Sequence, residues 1–424
     1  MSLPRTFWAV AARWLTFASA AAILFSIAAS QILLGLALAG LLLSGETVRL
    51  PRIRLPLALF MLGTIVSWLA NGQFAVGFPQ IKKFYVFGEL LIVFSLLREI
   101  PWIRGIFLFW AGFGAITASL GVLQFAARVR EAHRLGQAFY DYYVARRITG
   151  FTSHWNTYSA EQMFALIMLS AFVLFAPGGR HRWWLSATAA ALMALALCLA
   201  ETRGVWIATA VAGMYLLWSW KRKLVLAVPV LALLAFLISP AAIREREVSV
   251  VRPGKNDSNG FRWAAWRTGI RLIEEHPLLG LGPDVVKLHF LDSVPADIPR
   301  PLPVGFYGHL HNIYLQYAAD RGIPTMLMMM WLLAQALVDF TRGLRKLPRA
   351  PANRRFLLHG AVAVILATLV EGVVEYNLGD SEVLTMFLVV LGCGYLALEP
   401  GLAIDSGASL ASSDRQGARS PRVR

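Results

Sequence analysis

The chain has 424 residues, 57% of them hydrophobic and only 15% charged, with a formal net charge of +16. A soluble domain is nearer to about 45–50% apolar and about 25% charged, so this composition excludes an ordinary soluble enzyme and points to a membrane protein. Nor is the charge a nucleic-acid signature: no such motif is present, and much of it sits in short loops between apolar runs.

Apolar runs near the roughly 17–25 residues that span a bilayer predict an all-α integral membrane protein with about twelve transmembrane helices. In chain order they are 8–27, 30–44, 55–70, 79–97, 103–126, 157–176, 183–200, 203–220, 224–242, 311–339, 356–375 and 382–398. Residues 1–242 thus hold helices one to nine with a short polar loop at 127–156. A large loop, 243–310, follows, then helices ten to twelve within 311–400. A Ser/Gly/Arg-rich tail, 401–424, reads as disordered. The first apolar stretch runs on past Leu43, which argues against a cleavable signal peptide. Cys198 and Cys393 lie inside apolar runs and read as small core residues.

Alternate loops carry the cations: Arg5 and Arg13, 49–54, Arg98 and Arg104, Arg180 and Arg182, 221–223, 342–355 and the 415–424 tail. The positive-inside rule makes that set cytoplasmic, so both termini lie inside and the loops 127–156 and 243–310 face outward. Yet the outward face is basic as well. Arg128, Arg130, Arg134, Arg146 and Arg147 sit in the first outward loop, and Lys82-Lys83 open predicted helix four. Thr202, a candidate N-cap, and Arg203 open helix eight from a two-residue hairpin. Arginines at helix N-termini suit a phosphate-bearing ligand; snorkelling toward lipid headgroups is the plain alternative.

Residues 259–275 have the pattern of an amphipathic helix at the membrane interface, with Trp266, Ile270 and Ile273 on its apolar face. Arg262 falls on that face, out of pattern, which suggests a ligand contact. His311 opens helix ten beside Asn312, with Tyr314 close behind. An imidazole there can take a proton or donate hydrogen bonds; a structural role is the alternative. His309 reads as a cap or a support, and His154, His276 and His289 as loop residues. No Asp-x-Asp pair, zinc spacing or phosphate-cradling glycine loop appears. An enzyme of this kind is therefore expected to need no metal, with arginines neutralising a leaving phosphate. A transporter of lipid-linked anions is the non-enzymatic rival. It would need some of the carboxylates in the apolar segments, Glu89, Glu161, Glu371 and Glu375, whereas a surface transferase should tolerate Gln there unless they are structural.

Four blocks resemble the O-antigen ligase and polymerase superfamily of bacterial envelope glycosyltransferases. They are Arg147-Ile148-Thr149-Gly150-Phe151 with Asn156; Thr202-Arg203-Gly204-Val205-Trp206; Arg262-Trp263 through Pro277-Leu278-Leu279-Gly280-Leu281-Gly282; and His311-Asn312-Ile313-Tyr314-Leu315 with Gly322. The resemblance covers about 140–325. It implies an inner-membrane enzyme of lipopolysaccharide biosynthesis with a periplasmic active site and no cofactor. Its donor would be an undecaprenyl-diphosphate-linked glycan and its acceptor lipid A–core, with membrane lipids as its surroundings. By position, His311 would be catalytic, activating the acceptor hydroxyl or helping to orient the diphosphate; Arg203 and Arg262 would bind the donor diphosphate, with Arg147, Arg146 and Asn156 as secondary contacts. From the residues themselves, Asn312, Tyr314, His309, Lys82 and Lys83 are expected to support that site. One large outward loop favours a ligase over a polymerase or a protein O-glycosyltransferase.

Overall fold

The computed structural model describes residues 4–226 and 258–402, with 228, 233, 234 and 237 between them. Most of predicted helix nine, the stretch 238–257 and the tail from 403 lie outside the described residues. Within them the chain is all-α, with no strand. The helices up to the second loop are α1 (Arg5–Ala22), α2 (Ile27–Ser44), α3 (Arg54–Asn71), α4 (Phe74–Lys82), α5 (Gly88–Leu96), α6 (Ile100–Arg134), α8 (Trp155–Phe175), α9 (Trp183–Leu199) and α10 (Arg203–Trp220), followed by α11 (Ser258–Glu275). Two short ones, α7 (Phe139–Val144) and α12 (Val286–His289), lie in the loops; α13 (Ile313–Arg321), α14 (Ile323–Lys346), α15 (Asn353–Glu371) and α16 (Ser381–Leu396) complete the chain.

Among the described residues, six helices are long and apolar enough to cross a bilayer: α2, α3, α6, α8, α14 and α15. The chain is therefore a multi-pass membrane protein, with α9 and α16 apolar but shorter. The inner layer is α8 and α15, which pack on each other and on α10. Their helix faces bury residues such as Tyr158, Phe164, Phe356 and Leu358 nearly completely.

Three expected helices differ from the pattern. The fourth is broken: α4 ends at Lys82, a 3₁₀ turn covers Lys83–Phe87, and α5 resumes at Gly88. Pro79 inside α4 removes one backbone donor from its last turn. Lys82 and Lys83 thus stand at the C-terminal end of a helix and not at the opening of one, so no positive dipole end lies there. The fifth is longer than expected. Its 35 residues at about 1.5 Å each reach about 52 Å, well past a hydrocarbon core of about 30 Å. Arg128, Arg130 and Arg134 therefore ride on the protruding last turns of α6, with Arg128 3.4 Å from Glu131.

The tenth is split at Gly322, whose φ of 82° favours glycine. The neighbouring strand of chain explains why. The Leu278 carbonyl oxygen would lie 2.0 Å from a Cβ on Gly322, and Gly280 is equally tight against the Asp320–Arg321 backbone. Leu281 N–H donates to Ala319 O (2.8 Å), Gly282 N–H to Asp320 O (2.9 Å) and Ile323 N–H to Pro277 O (2.8 Å). The Pro277–Gly282 block is a strap across the C-terminus of α13, supplying donors to carbonyls that a helix end leaves open.

Helix α11 does form, but its buried stripe is Ala264, Ala265, Thr268 and Leu272, with Ile270 exposed. Small side chains let it pack closely on α13, in a separate core that includes Val286, Phe290 and Leu310. Trp266, Ile270 and Ile273 are not the buried face, because the segment between α11 and α13 builds its own core against α11.

Candidate functional site

Glu375, in the turn after α15, is the point where four separated segments meet. Asn156 Nδ2 donates to its Oε2 at 2.8 Å. His311 Nδ1 lies 3.1 Å from Oε1, Arg262 Nη2 lies 3.7 Å from Oε2, and His309 Nε2 lies 3.8 Å from Oε1. The carboxylate is only 8% exposed. Burial alone would raise its pKa, but the His311 hydrogen bond, with the electrostatic pull of His311, His309 and Arg262, outweighs it and holds the group at about 2.

Local sequence sets each of these side chains. Asn312, not His311, is the N-cap of α13: its Oδ1 accepts from Leu315 N–H (2.9 Å) and its Nδ2 donates to Val373 O (2.9 Å). Ile313 N–H donates to Gly372 O (2.8 Å). These bonds clamp the start of α13 onto the 372–375 turn and leave His311 in a left-handed conformation, φ 48°. Its ring then reaches Glu375 on one side and, through Nε2, the Phe306 carbonyl oxygen at 2.9 Å on the other. Both ring nitrogens thus face acceptors. Tyr314 serves the scaffold, donating to Leu369 O (2.7 Å). His309 Nδ1 accepts from His311 N–H (3.2 Å). Burial, with the His311 charge, pushes the His309 pKa down to about 4, against the pull of Glu375.

Arg203 opens α10 and is 8% exposed; its Nη2 donates to Asn259 Oδ1 (3.1 Å), one turn before Arg262 on α11. A Cβ on Gly204 would fall 2.6 Å from Val374 Cγ2, so α10 begins directly against the turn that carries Glu375. Thr202 occupies the N-cap position without capping: its hydroxyl lies 3.1 Å from Ser159 Oγ. At the start of α8, His154 Nδ1 accepts from Asn156 N–H (3.2 Å), so this histidine is a helix cap rather than a plain loop residue. The N-termini of α8, α10 and α13 therefore converge on one turn, each with a positive dipole end and open N–H groups.

The remaining candidates stand further out. Arg147 lies over the Trp155 ring at 5.3 Å, beside Asn156, and Arg146 over Tyr142 at 4.6 Å. Gln124 holds the Arg147–Gly150 block in place by accepting from Thr149 and Gly150 N–H, each at 3.0 Å. Lys83 donates to Gly379 O and braces the turn from the far side, while Lys82 is exposed over Phe78.

Residues 188–330, about a third of the chain, match a family model described as O-antigen ligase. That stretch is similar to the O-antigen ligase family. The matched stretch contains α9, α10, α11 and α13, and with them Arg203, Arg262, His309 and His311; Asn156 and Glu375 lie outside it. No curated protein matches the chain.

His309, His311 and Glu375 place ligand atoms within 4.8 Å of one another, the spacing of a metal site. Their hydrogen bonding does not fit a cation. Because His309 Nδ1 accepts a backbone N–H, the neutral ring carries its proton on Nε2, the atom a metal would need. Arg262 already supplies positive charge at the same carboxylate.

Sequence reasoning missed Glu375 as a partner of His311 and placed it with the carboxylates of a transport path. Its signal was an acidic residue just past the end of an apolar run, next to Tyr376-Asn377. The Phe306 carbonyl had no side-chain signal at all.

Proposed function

We propose that the protein is an O-antigen ligase of the bacterial inner membrane, acting on the periplasmic side with both termini in the cytoplasm. It moves a glycan from undecaprenyl diphosphate to a hydroxyl of lipid A–core in lipopolysaccharide biosynthesis. The observation that carries this reading is that His311 and Arg262, both inside the family-matched segment, meet on the carboxylate of Glu375. The acceptor oxygen forms a bond to the anomeric carbon, and the bond from that carbon to the phosphate oxygen breaks. The lipid diphosphate leaves with the electron pair, and the hydroxyl proton passes to Nε2 of a His311 that has first released its Nε2 proton to solvent. Glu375 is a positioning residue: it orients the ring through Nδ1 and balances the imidazolium as it forms. Arg203 and Arg262, at the mouth of three helix N-termini, neutralise the leaving diphosphate; Arg147, Arg146 and Asn156 line its approach. A single displacement inverts the anomeric configuration, and the cationic site supplies the charge that a metal would otherwise provide.

The test is acceptor choice. Purified protein is given undecaprenyl-diphosphate glycan with lipid A–core, and the product is resolved by gel. A ladder on lipid A–core with inverted linkage by NMR is expected. Lengthening of the lipid-linked glycan without lipid A–core would make the protein a polymerase. Absence of transfer to either, with donor binding intact, would favour the transporter.

A further inference from the structure

The His311 Nε2 that must receive a proton is covered by the protein's own backbone. The covering segment has a fixed base and an exposed tip. Leu302 and Tyr307 pack on the core of the outward loop, Tyr307 stacks on Phe290 at 4.8 Å, and its hydroxyl donates to Pro303 O at 2.6 Å. Between these anchors Val304 is fully exposed and Phe306 is 62% exposed. The backbone of the tip seats inward at two points: the Phe306 carbonyl on His311 Nε2, and Gly305 on Phe261, whose Cγ and Cβ would lie 2.4 and 2.7 Å from a Cβ at position 305.

A carbonyl oxygen 2.9 Å from Nε2 stands where an acceptor hydroxyl must stand to hand over its proton. The two oxygens exclude each other. We propose that residues 303–307 form a plug that the acceptor displaces, so that the base is uncovered only when an acceptor arrives. This inference rests on the ligase reading above. Its use is to keep water from the base while the donor waits, since water in that position would hydrolyse the glycosyl diphosphate. The exposed Phe306 ring, 5.3 Å from His309, gives the incoming sugar an apolar face at the point of entry.

The experiment locks the plug shut. Phe261→Cys and Gly305→Cys are introduced together in a Cys198→Ser/Cys393→Ala background; a disulfide needs Cβ atoms about 3.5–4.5 Å apart, a small outward adjustment from the native contact. Oxidised and reduced forms of the same protein are compared for transfer, and His311 reactivity toward diethyl pyrocarbonate is mapped by peptide mass spectrometry. The oxidised form should lose transfer by about tenfold or more and regain it with reductant, and with acceptor present His311 should be protected only when oxidised. Equal transfer and equal His311 reactivity in both forms, with the bridge present, would overturn the plug. In a second arm, Gly305→Ala unseats the tip; it should expose His311 and raise donor hydrolysis without acceptor, and unchanged values for both count against the plug. A redox-dependent His311 reactivity in a protein that transfers to no acceptor would keep the plug and reject the ligase.

Discussion

Glu375 concentrates the site's electrostatics in one carboxylate, and its replacement by Gln separates charge from shape. The amide keeps the volume but loses the charge-assisted bond to His311, worth about 1.5–3 kcal/mol. Transfer by Glu375→Gln should therefore fall roughly 10–100-fold in kcat, with donor KM little changed; a steady-state split of the two constants checks it. The neighbouring histidine sets a pH dependence. His309 is held at about 4 in the folded chain, below its ordinary value of about 6.5. Protonation is disfavoured in the fold, so the stability this neutral ring contributes is present above pH about 6.5 and is lost as pH falls toward 4. The depressed Glu375 acts in a lower window, from its ordinary value of about 4.3 down to about 2. Thermal unfolding in detergent from pH 7.5 to 5 should show a falling Tm, and His309→Gln should flatten that fall. Arg203, Arg262 and His311 were legible in the sequence as cations out of place in an apolar chain. Glu375 was not, because its partnership with His311 spans 64 residues and no local pattern encodes a contact at that separation.

Helix breaks position these groups more than helix cores do. At Gly322 a Cβ would meet the Leu278 carbonyl as well as a left-handed backbone. Gly322→Ala should lower stability by about 1–3 kcal/mol, read as a drop in Tm, and should reduce transfer by shifting the start of α13 against Glu375. Periodicity found α8, α10, α15 and α16 to within a few residues. It joined α13 to α14, because a one-residue interruption leaves an apolar run of the right length. It also turned α11 the wrong way. Trp and Ile weigh heavily in any hydrophobic pattern, but close packing on α13 selects the Ala264/Ala265/Thr268 stripe, where small size decides.

Across the molecule, the proposed orientation rests on charge placement, and the length of α6 makes it measurable. In a cysteine-substituted background, Arg130→Cys, on the protruding turns, should react with a membrane-impermeant maleimide added outside intact cells. Arg98→Cys, at the other end, should react only after permeabilisation; the reverse pattern would invert the topology and put the site in the cytoplasm. Composition alone was sufficient for the membrane class. Against the twelve helices expected, six among the described residues meet the length and hydropathy of a span, with α9 and α16 apolar but shorter.

The account stands most directly on single-turnover transfer of the lipid-linked glycan to lipid A–core, measured with and without EDTA for the unaltered protein, His311→Ala and Arg203→Ala. A rate unaffected by EDTA and reduced about 10²–10⁴-fold in His311→Ala, with Arg203→Ala strongly impaired, is the predicted result. Transfer that EDTA abolishes, or that survives in His311→Ala at the unaltered rate, would contradict a metal-free transfer carried by this site.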